Sequence, residues 1–156
     1  TAAGTFPRLV DLGVNPKIIS SALNLAMAQR LVRKLCPNCR KQIPLEGLDK
    51  KTIQKVLDTI IDKTYLEGID TNVTWQQVGC EQCNNIGYKG RIGIHEAIIM
   101  DQKIEAIVKD NPSEREIKNA SKDQGLLALT QDGELKVLSG VTTLDELRRI
   151  IDVERE

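Results

Sequence analysis

Apolar residues change their spacing several times along this chain, and each change predicts a different element. Residues 5–13 and 15–28 carry apolar side chains at helical spacing, and Gly13 separates the two stretches. From Arg30 to Leu35 apolar and basic residues alternate, which is typical of a short strand. We therefore predict two helices followed by a strand.

The middle of the chain contains both a helical pattern and a strand pattern of apolar residues. Residues 50–62 place apolar side chains on one stripe, as an amphipathic helix does. Residues 65–79 indicate an irregular or short extended segment. Residues 91–100 are rich in isoleucine, which favours a buried strand.

The last third of the sequence indicates helices with well-defined starts. Ser113 with Glu116, and Thr143 with Glu146, have the spacing of a capping box, in which two side chains bond the free backbone N–H groups of a first turn. Gly140 is expected to end the helix that lies between these two starts.

The amino-acid composition limits the classes of protein to which the chain can belong. Of the 156 residues, 40% are apolar, 28% are charged and 3% are aromatic, so we expect a soluble globular chain with an aliphatic core. The chain has 22 basic residues (Lys and Arg) and 22 acidic residues (Asp and Glu). This balance argues against a protein whose main function is to bind nucleic-acid phosphates. There is no signal peptide and no apolar run near the roughly 18 residues that span a bilayer. Because the chain begins at Thr1, we expect a fragment of a longer protein.

All four cysteines lie in two Cys-x-x-Cys turns, namely Cys36, Cys39, Cys80 and Cys83. Two such turns can direct four sulfurs at one cation, and a tetrahedral thiolate set favours zinc, with iron the weaker alternative. Four thiolates leave no position for water, so the predicted site is structural. The metal would join turns about 40 residues apart and hold the helical insert between them as a small finger.

Other interpretations of the cysteines remain open at this point. Disulfides need an oxidising compartment, of which the sequence gives no sign. A redox pair is more typical of a single Cys-x-x-Cys than of two. Zinc ribbons that bind nucleic acid also carry two pairs, but with a shorter gap and a basic or aromatic face.

A few further residues are candidates for chemistry. His95 beside Glu96 is a conceivable catalytic pair, but a packed or surface histidine is the better interpretation. Trp75 is expected to pack within the insert. Residues 87–93 superficially resemble a phosphate loop, yet lack its Lys-Ser/Thr ending and precede a strand, so we interpret them as a turn. Arg91 at that turn is placed to reach an anion.

The sequence resembles the C-terminal part of the secretion-type traffic ATPases, the motors of type IV pilus assembly, type II secretion and competence. Five stretches carry this resemblance and together cover nearly the whole chain. They are residues 1–13, residues 28–39, residues 87–96 after the second cysteine pair, Asp132-Gly133 and residues 144–146.

The resemblance implies an α/β fold: the C-terminal portion of a RecA-like nucleotidase core with an inserted tetracysteine zinc module and a helical C-terminal subdomain. It divides the chain into four parts. Residues 1–35 would end the core, residues 36–90 would form the zinc module, residues 91–100 would be a returning core strand, and residues 101–156 would be the helical subdomain.

The resemblance also implies a function. Family members form hexamers at the cytoplasmic face of the membrane and use ATP hydrolysis to move an inner-membrane platform protein. Their Walker A, Asp box, Walker B and His box motifs would lie upstream of Thr1, so ATP and Mg²⁺ would bind only in the full-length parent and the chain alone would be inactive. Only Arg91 is carried over as a residue near the nucleotide.

An alternative from a different class is a free-standing zinc-binding module for protein interaction or nucleic-acid binding. It predicts a start codon near Thr1 and binding to DNA or RNA that weakens steeply with salt. The balanced charge argues against this alternative, and we expect no direct nucleic-acid contact.

Overall fold

The computed structural model describes residues 1–110 and 113–151, a mixed α/β arrangement that falls into two compact units. Unit 1 consists of Thr1–Ala28 and Glu96–Ala128. Unit 2 consists of Gln29–His95 and Leu129–Glu156, of which residues 152–156 lie outside the described part. The four-part division inferred from the family resemblance follows different boundaries and stays a prediction about the longer protein.

Helices begin and end the described part of the chain, and the strands lie between them. The α-helices are α1 (Thr5–Asp11), α2 (Pro16–Ala22), α3 (Gly47–Asp58), α4 (Gln102–Val108), α5 (Glu114–Ser121), α6 (Leu129–Leu138) and α7 (Leu144–Ile150). The strands are β1 (Leu25–Leu35), β2 (Lys41–Pro44), β3 (Val73–Gln76) and β4 (Tyr88–Ile99). Strand β1 pairs with β4, and β2 pairs with β3 antiparallel, with Lys41 opposite Gln76. No described helix has the length and apolarity needed to cross a bilayer.

Unit 1 has an apolar core of its own. Its buried side chains come from the residues just before α1, from α1, α2, α4 and α5, and from the unit 1 ends of β1 and β4: Ala2, Ala3, Phe6, Ile19, Ala26, Ile98, Ile104, Val108, Ile117 and Ala120. The start of α5 has the predicted capping box, since Ser113 Oγ accepts from the Glu116 N–H at 3.3 Å and the Glu116 carboxylate accepts from the Ser113 N–H at 3.1 Å.

The predicted helix over residues 15–28 is wrong in its second half. Leu23 and Met27 fit a helical period, but α2 ends at Ala22 and β1 begins at Leu25. The carbonyl of Asn24 accepts a hydrogen bond from the N–H of Met100 at 2.9 Å. Pairing with β4, a contact remote in sequence, therefore decides the local structure against the periodicity.

In unit 2 the segment between the cysteine pairs packs against the C-terminal helices. Helix α6 contacts α3, α7 and β3. Gln131 donates to the Thr59 hydroxyl at 2.9 Å, and Arg148 donates to the Asp49 carboxylate at 2.7 Å. The insert is thus part of a packed unit, and its description as a small finger held by a metal stays a prediction.

Unit 2 also buries two glutamates, in opposite electrostatic settings. The side chain of Glu146 is fully buried and accepts hydrogen bonds from Arg33, including one at 2.6 Å, and from Arg149 at 2.9 Å. Burial opposes its ionisation, but the guanidinium groups outweigh this effect and lower the pKa of Glu146 to about 2.

Glu134 on α6 has no such compensation. It is fully buried, and neither carboxylate oxygen has a hydrogen-bond partner among the described residues. Burial raises the pKa of Glu134 to about 8, although the charge of Arg148 acts in the opposite direction. Glu134 is therefore mostly protonated at neutral pH in the folded chain.

We predict that Glu134→Gln stabilises the protein at alkaline pH. An unfolded glutamate titrates near pH 4.3, whereas folded Glu134 keeps its proton up to about pH 8, so unfolding releases a proton between these values. The free energy of unfolding should consequently fall as pH rises through this window. The variant should exceed the parent by about 2 kcal/mol or more at pH 8, and by under about 1 kcal/mol at pH 5, in urea unfolding.

Glu146→Gln serves as the matched control with the opposite sign. Its lowered pKa means that Glu146 stabilises the fold above its unfolded pKa, so this variant should lose stability at both pH values. A Glu134→Gln protein that is no more stable than the parent at pH 8 would show that the folded structure accommodates the Glu134 charge.

Candidate metal centre

The first cysteine pair forms a tight turn directly after β1. The carbonyl of Cys36 accepts from the N–H of Cys39 at 3.3 Å and from the N–H of Arg40 at 3.0 Å, which closes the turn. The N–H of Cys36 donates to the carbonyl of Gly87 at 2.9 Å, just beyond the second pair. Backbone hydrogen bonding therefore joins the two turns independently of any ion.

The second pair lies in a 3₁₀ turn over Glu81–Cys83. Gly79 and Gly87 flank it with positive φ angles of 116° and 80°. A Cβ atom on Gly79 would lie 2.8 Å from the Asn85 carbonyl oxygen, so the chain can pass this closely only with glycine there.

The four cysteine sulfurs converge on one point. All four Sγ atoms lie within 4.8 Å of one another. The Cys36–Cys80, Cys39–Cys83 and Cys80–Cys83 pairs are 3.9, 3.8 and 3.7 Å apart. A tetrahedral ion with metal–sulfur bonds of about 2.3 Å requires sulfurs about 3.8 Å apart. The geometry fits such an ion, whereas disulfide sulfurs would be bonded at about 2.05 Å.

Backbone N–H groups point at two of the sulfurs. Gly79 donates to Cys39 Sγ at 3.3 Å, and Cys80 and Gly87 each donate to Cys83 Sγ at 3.2 Å. Burial disfavours the Cys83 thiolate, but these donors more than compensate, and the pKa of Cys83 is lowered to about 6. Burial and the neighbouring thiols instead raise the pKa of Cys39 to about 11, despite the Gly79 N–H. The second turn thus stabilises negative charge on the Cys83 sulfur, whereas the surroundings of Cys39 favour its thiol.

The sulfur set is closed rather than open. Cys36 and Cys83 are buried, and Cys39 and Cys80 are half-buried. Four thiolates complete the preferred coordination of zinc, so a metal held here has no free position for water or substrate. The arrangement can join chain segments, and it offers no hydrolytic chemistry.

The other candidate residues lie away from the sulfurs or serve packing. The side chain of His95 is 44% exposed, with Nδ1 3.9 Å from a carboxylate oxygen of Asp132. Trp75 packs against residues outside the insert and not only within it as predicted, since its indole donates to the Leu138 carbonyl at 3.1 Å and its ring lies against Gly140. Arg91 is exposed on β4. Its predicted closeness to a nucleotide stays a prediction.

Sequence reasoning missed two features around the centre. The guanidinium of Arg40 lies 4.5 Å from the ring centre of Trp75, a contact that no local pattern announces. The second feature is the pair of N–H donors at Gly79 and Gly87, for which the glycines themselves, close to the second cysteine pair, were the available signal.

Comparison with known proteins gives consistent matches along the chain. A family profile described as "Type II/IV secretion system protein" matches residues 1–149. "Type II secretion system protein E" of Aeromonas hydrophila is 35% identical over 150 residues, 96% of this chain and 28% of the relative. "Type IV pilus assembly ATPase PilB" of Myxococcus xanthus is 35% identical over 94% of this chain and 24% of its own length.

PilB of Thermus thermophilus is 34% identical over 146 residues, which make up 94% of this chain and 15% of that protein. The chain therefore spans roughly a quarter, or less, of the length of these relatives.

We predict that Cys39→Ser abolishes stoichiometric metal binding. Replacing one thiolate removes a ligand from a closed four-sulfur set, and the binding free energy of a structural metal would contribute directly to folding. Elemental analysis should fall from about one ion per chain to near zero, and the free energy of unfolding by about 3 kcal/mol or more. Gln82→Ala, next to Cys83 but outside the sulfur set, should keep the ion.

Exhaustive chelation of the parent protein provides the complementary measurement. A chain that contains no ion beforehand and keeps its complete fold under chelation would contradict a metal centre. A cysteine pair that cycles between thiol and disulfide without metal would favour the redox interpretation instead.

Proposed function

Because the chain belongs to the type II/IV secretion system protein family, we propose that it is the metal-bearing part of a motor ATPase that powers type IV pilus assembly or type II secretion. The observation that carries this proposal is the family match over residues 1–149, with four cysteines of the chain converging at one point. The names of the relatives include an ATPase of pilus assembly and a type II secretion protein.

We assign the fold of the longer protein to the RecA-like nucleotidases. Residues 1–35 and 91–100 would contribute to its core, residues 36–90 would form the inserted metal module, and residues 101–156 would form the helical end. The long strands β1 and β4 support this assignment, because paired strands of 11 and 12 residues suit a nucleotidase sheet better than a small zinc finger.

We propose zinc as the metal. Sulfur separations of 3.7–3.9 Å suit a small tetrahedral ion, and four thiolates satisfy the preference of zinc without redox chemistry. Iron accepts the same ligands, so elemental analysis of the purified protein distinguishes the two ions.

ATP and Mg²⁺ would bind to the longer protein. Hydrolysis of Mg-ATP needs a phosphate-binding loop and metal-binding carboxylates, and the present sequence has no Walker A pattern. Arg91 is the one residue we place near the nucleotide. Its exposed position on β4 leaves the guanidinium available to a phosphate oxygen.

The proposed assembly is a homo-hexamer at the cytoplasmic face of the inner membrane, acting on a membrane-embedded platform protein. In this proposal the contact with the membrane is made through that partner. The balanced net charge gives no support to direct nucleic-acid binding.

We predict that the 156-residue chain alone releases no labelled phosphate from ATP above the blank, whereas the complete product of its gene does. In the complete product, Arg91→Ala should lower kcat/KM for ATP by about tenfold or more through loss of a charge-assisted contact. Lys89→Ala, exposed on the same strand, should leave this value within about twofold.

ATP hydrolysis by the isolated chain would contradict the proposal that only the longer protein hydrolyses ATP. A complete gene product without ATP turnover would contradict the motor assignment. DNA or RNA binding that weakens steeply with salt would favour the alternative module instead.

A further inference from the structure

The turn between α6 and α7, residues 139–143, is held by residues that flank the first cysteine pair. Leu35, one position before the pair, donates its N–H to the carbonyl of Val141 at 2.8 Å. Arg40, one position after the pair, donates from its guanidinium to the carbonyl of Gly140. Both sides of the first cysteine turn are therefore bonded to the α6–α7 turn.

Trp75 completes this contact from β3. Its indole N–H donates to the Leu138 carbonyl at 3.1 Å, and its ring lies under the Arg40 guanidinium at 4.5 Å. A Cβ atom on Gly140 would lie 2.6 Å from the indole ring, so the turn and the tryptophan are in direct contact. Trp75 thus satisfies the last carbonyl of α6, whereas the three carbonyls before it accept from N–H groups of the α6–α7 turn itself.

The strand that leaves the second cysteine pair holds the same turn from its other end. The hydroxyls of Tyr88 and Thr143 lie 2.7 Å apart, and the Arg33 guanidinium lies 4.3 Å from the Tyr88 ring centre. Arg33 also pairs with buried Glu146, and its carbonyl accepts from the Thr142 hydroxyl at 2.8 Å.

These contacts come from three chain segments that the sulfurs bring together: the end of β1 with the first turn, β3, and the start of β4. Without an ion the metal–sulfur bonds are absent, and only hydrogen bonds such as the one from Cys36 N–H to the Gly87 carbonyl still join the cysteine turns. The side chains on the α6–α7 turn would then be displaced together.

We propose that metal binding at the four cysteines holds the α6–α7 turn in place, so that metal loss releases the helix pair α6–α7 while unit 1 stays folded. This inference rests on the proposed metal centre. It extends the effect of the ion from the insert to helices that begin 46 residues after the last cysteine, at Leu129. Unit 1 keeps its own core throughout.

The test is hydrogen exchange on the full chain, with metal and after chelation in reducing buffer. We expect peptides from residues 129–150 to exchange about tenfold faster or more without metal, together with the cysteine turns. Peptides from residues 5–11, 102–108 and 114–121 in unit 1 should change less than about twofold. Metal content measured on the same samples separates this inference from the metal centre itself.

Two results would overturn the inference. Faster exchange confined to the cysteine turns would show that α6 and α7 hold themselves in place. Faster exchange throughout the chain, unit 1 included, would show that the ion supports the whole fold without a specific effect on the helix pair.

The Arg40→Ala variant tests the contact between the first cysteine turn and the α6–α7 turn without altering any of the four cysteines. The variant should keep its metal, while exchange in residues 134–143 rises about fivefold or more. Trp75, the single tryptophan, should shift its emission toward that of an exposed indole. Lys41→Ala, exposed on β2, is the control and should behave like the parent. An Arg40→Ala protein indistinguishable from Lys41→Ala would overturn the inference.

Discussion

Four cysteine sulfurs separated by less than 4.8 Å are the constraint on which unit 2 depends. Sulfurs this close repel one another once they ionise, so the arrangement favours a cation that offsets their charge. The turns that carry them are tied by the bond from Cys36 N–H to the Gly87 carbonyl, and N–H groups of Gly79 and Gly87 point at sulfur. Backbone and ion therefore favour the same geometry, which is why two short turns can organise a much longer chain.

The two buried glutamates of unit 2 differ in their protonation at neutral pH, because only Glu146 accepts hydrogen bonds from guanidinium groups. Glu146 joins Arg33 of β1 to Arg149 of α7, and its charge is fully matched by hydrogen bonds. Glu134 is fully buried on α6 with no hydrogen-bond partner among the described residues, and it stays mostly uncharged at neutral pH. A buried pair of the first kind fixes orientation, whereas a lone acid of the second kind lowers stability as soon as it ionises.

The parts of the fold that sequence could predict are those fixed by short-range chemistry. The Cys-x-x-Cys spacing identified the sulfur cluster, and Ser113 with Glu116 identified a helix start. The parts it could not predict depend on contacts between distant residues. The pairing of β1 with β4 overrode a helical period that extended to Met27, and Arg33 meets Glu146 across 113 positions of sequence. No local pattern encodes such contacts.

Contacts between residues distant in sequence also explain why unit 2 needs directional interactions. It is assembled from two stretches, Gln29–His95 and Leu129–Glu156, that are separated in sequence by part of unit 1. Apolar burial brings such stretches together without specifying their register, because it is proportional to area and nearly independent of direction. The Arg33–Glu146 pair and the indole N–H of Trp75 each demand a particular geometry, and an ion on the four sulfurs would demand a tetrahedral one. They determine how α6 and α7 sit on the metal module, a relationship that a core of leucine and isoleucine alone would leave poorly defined.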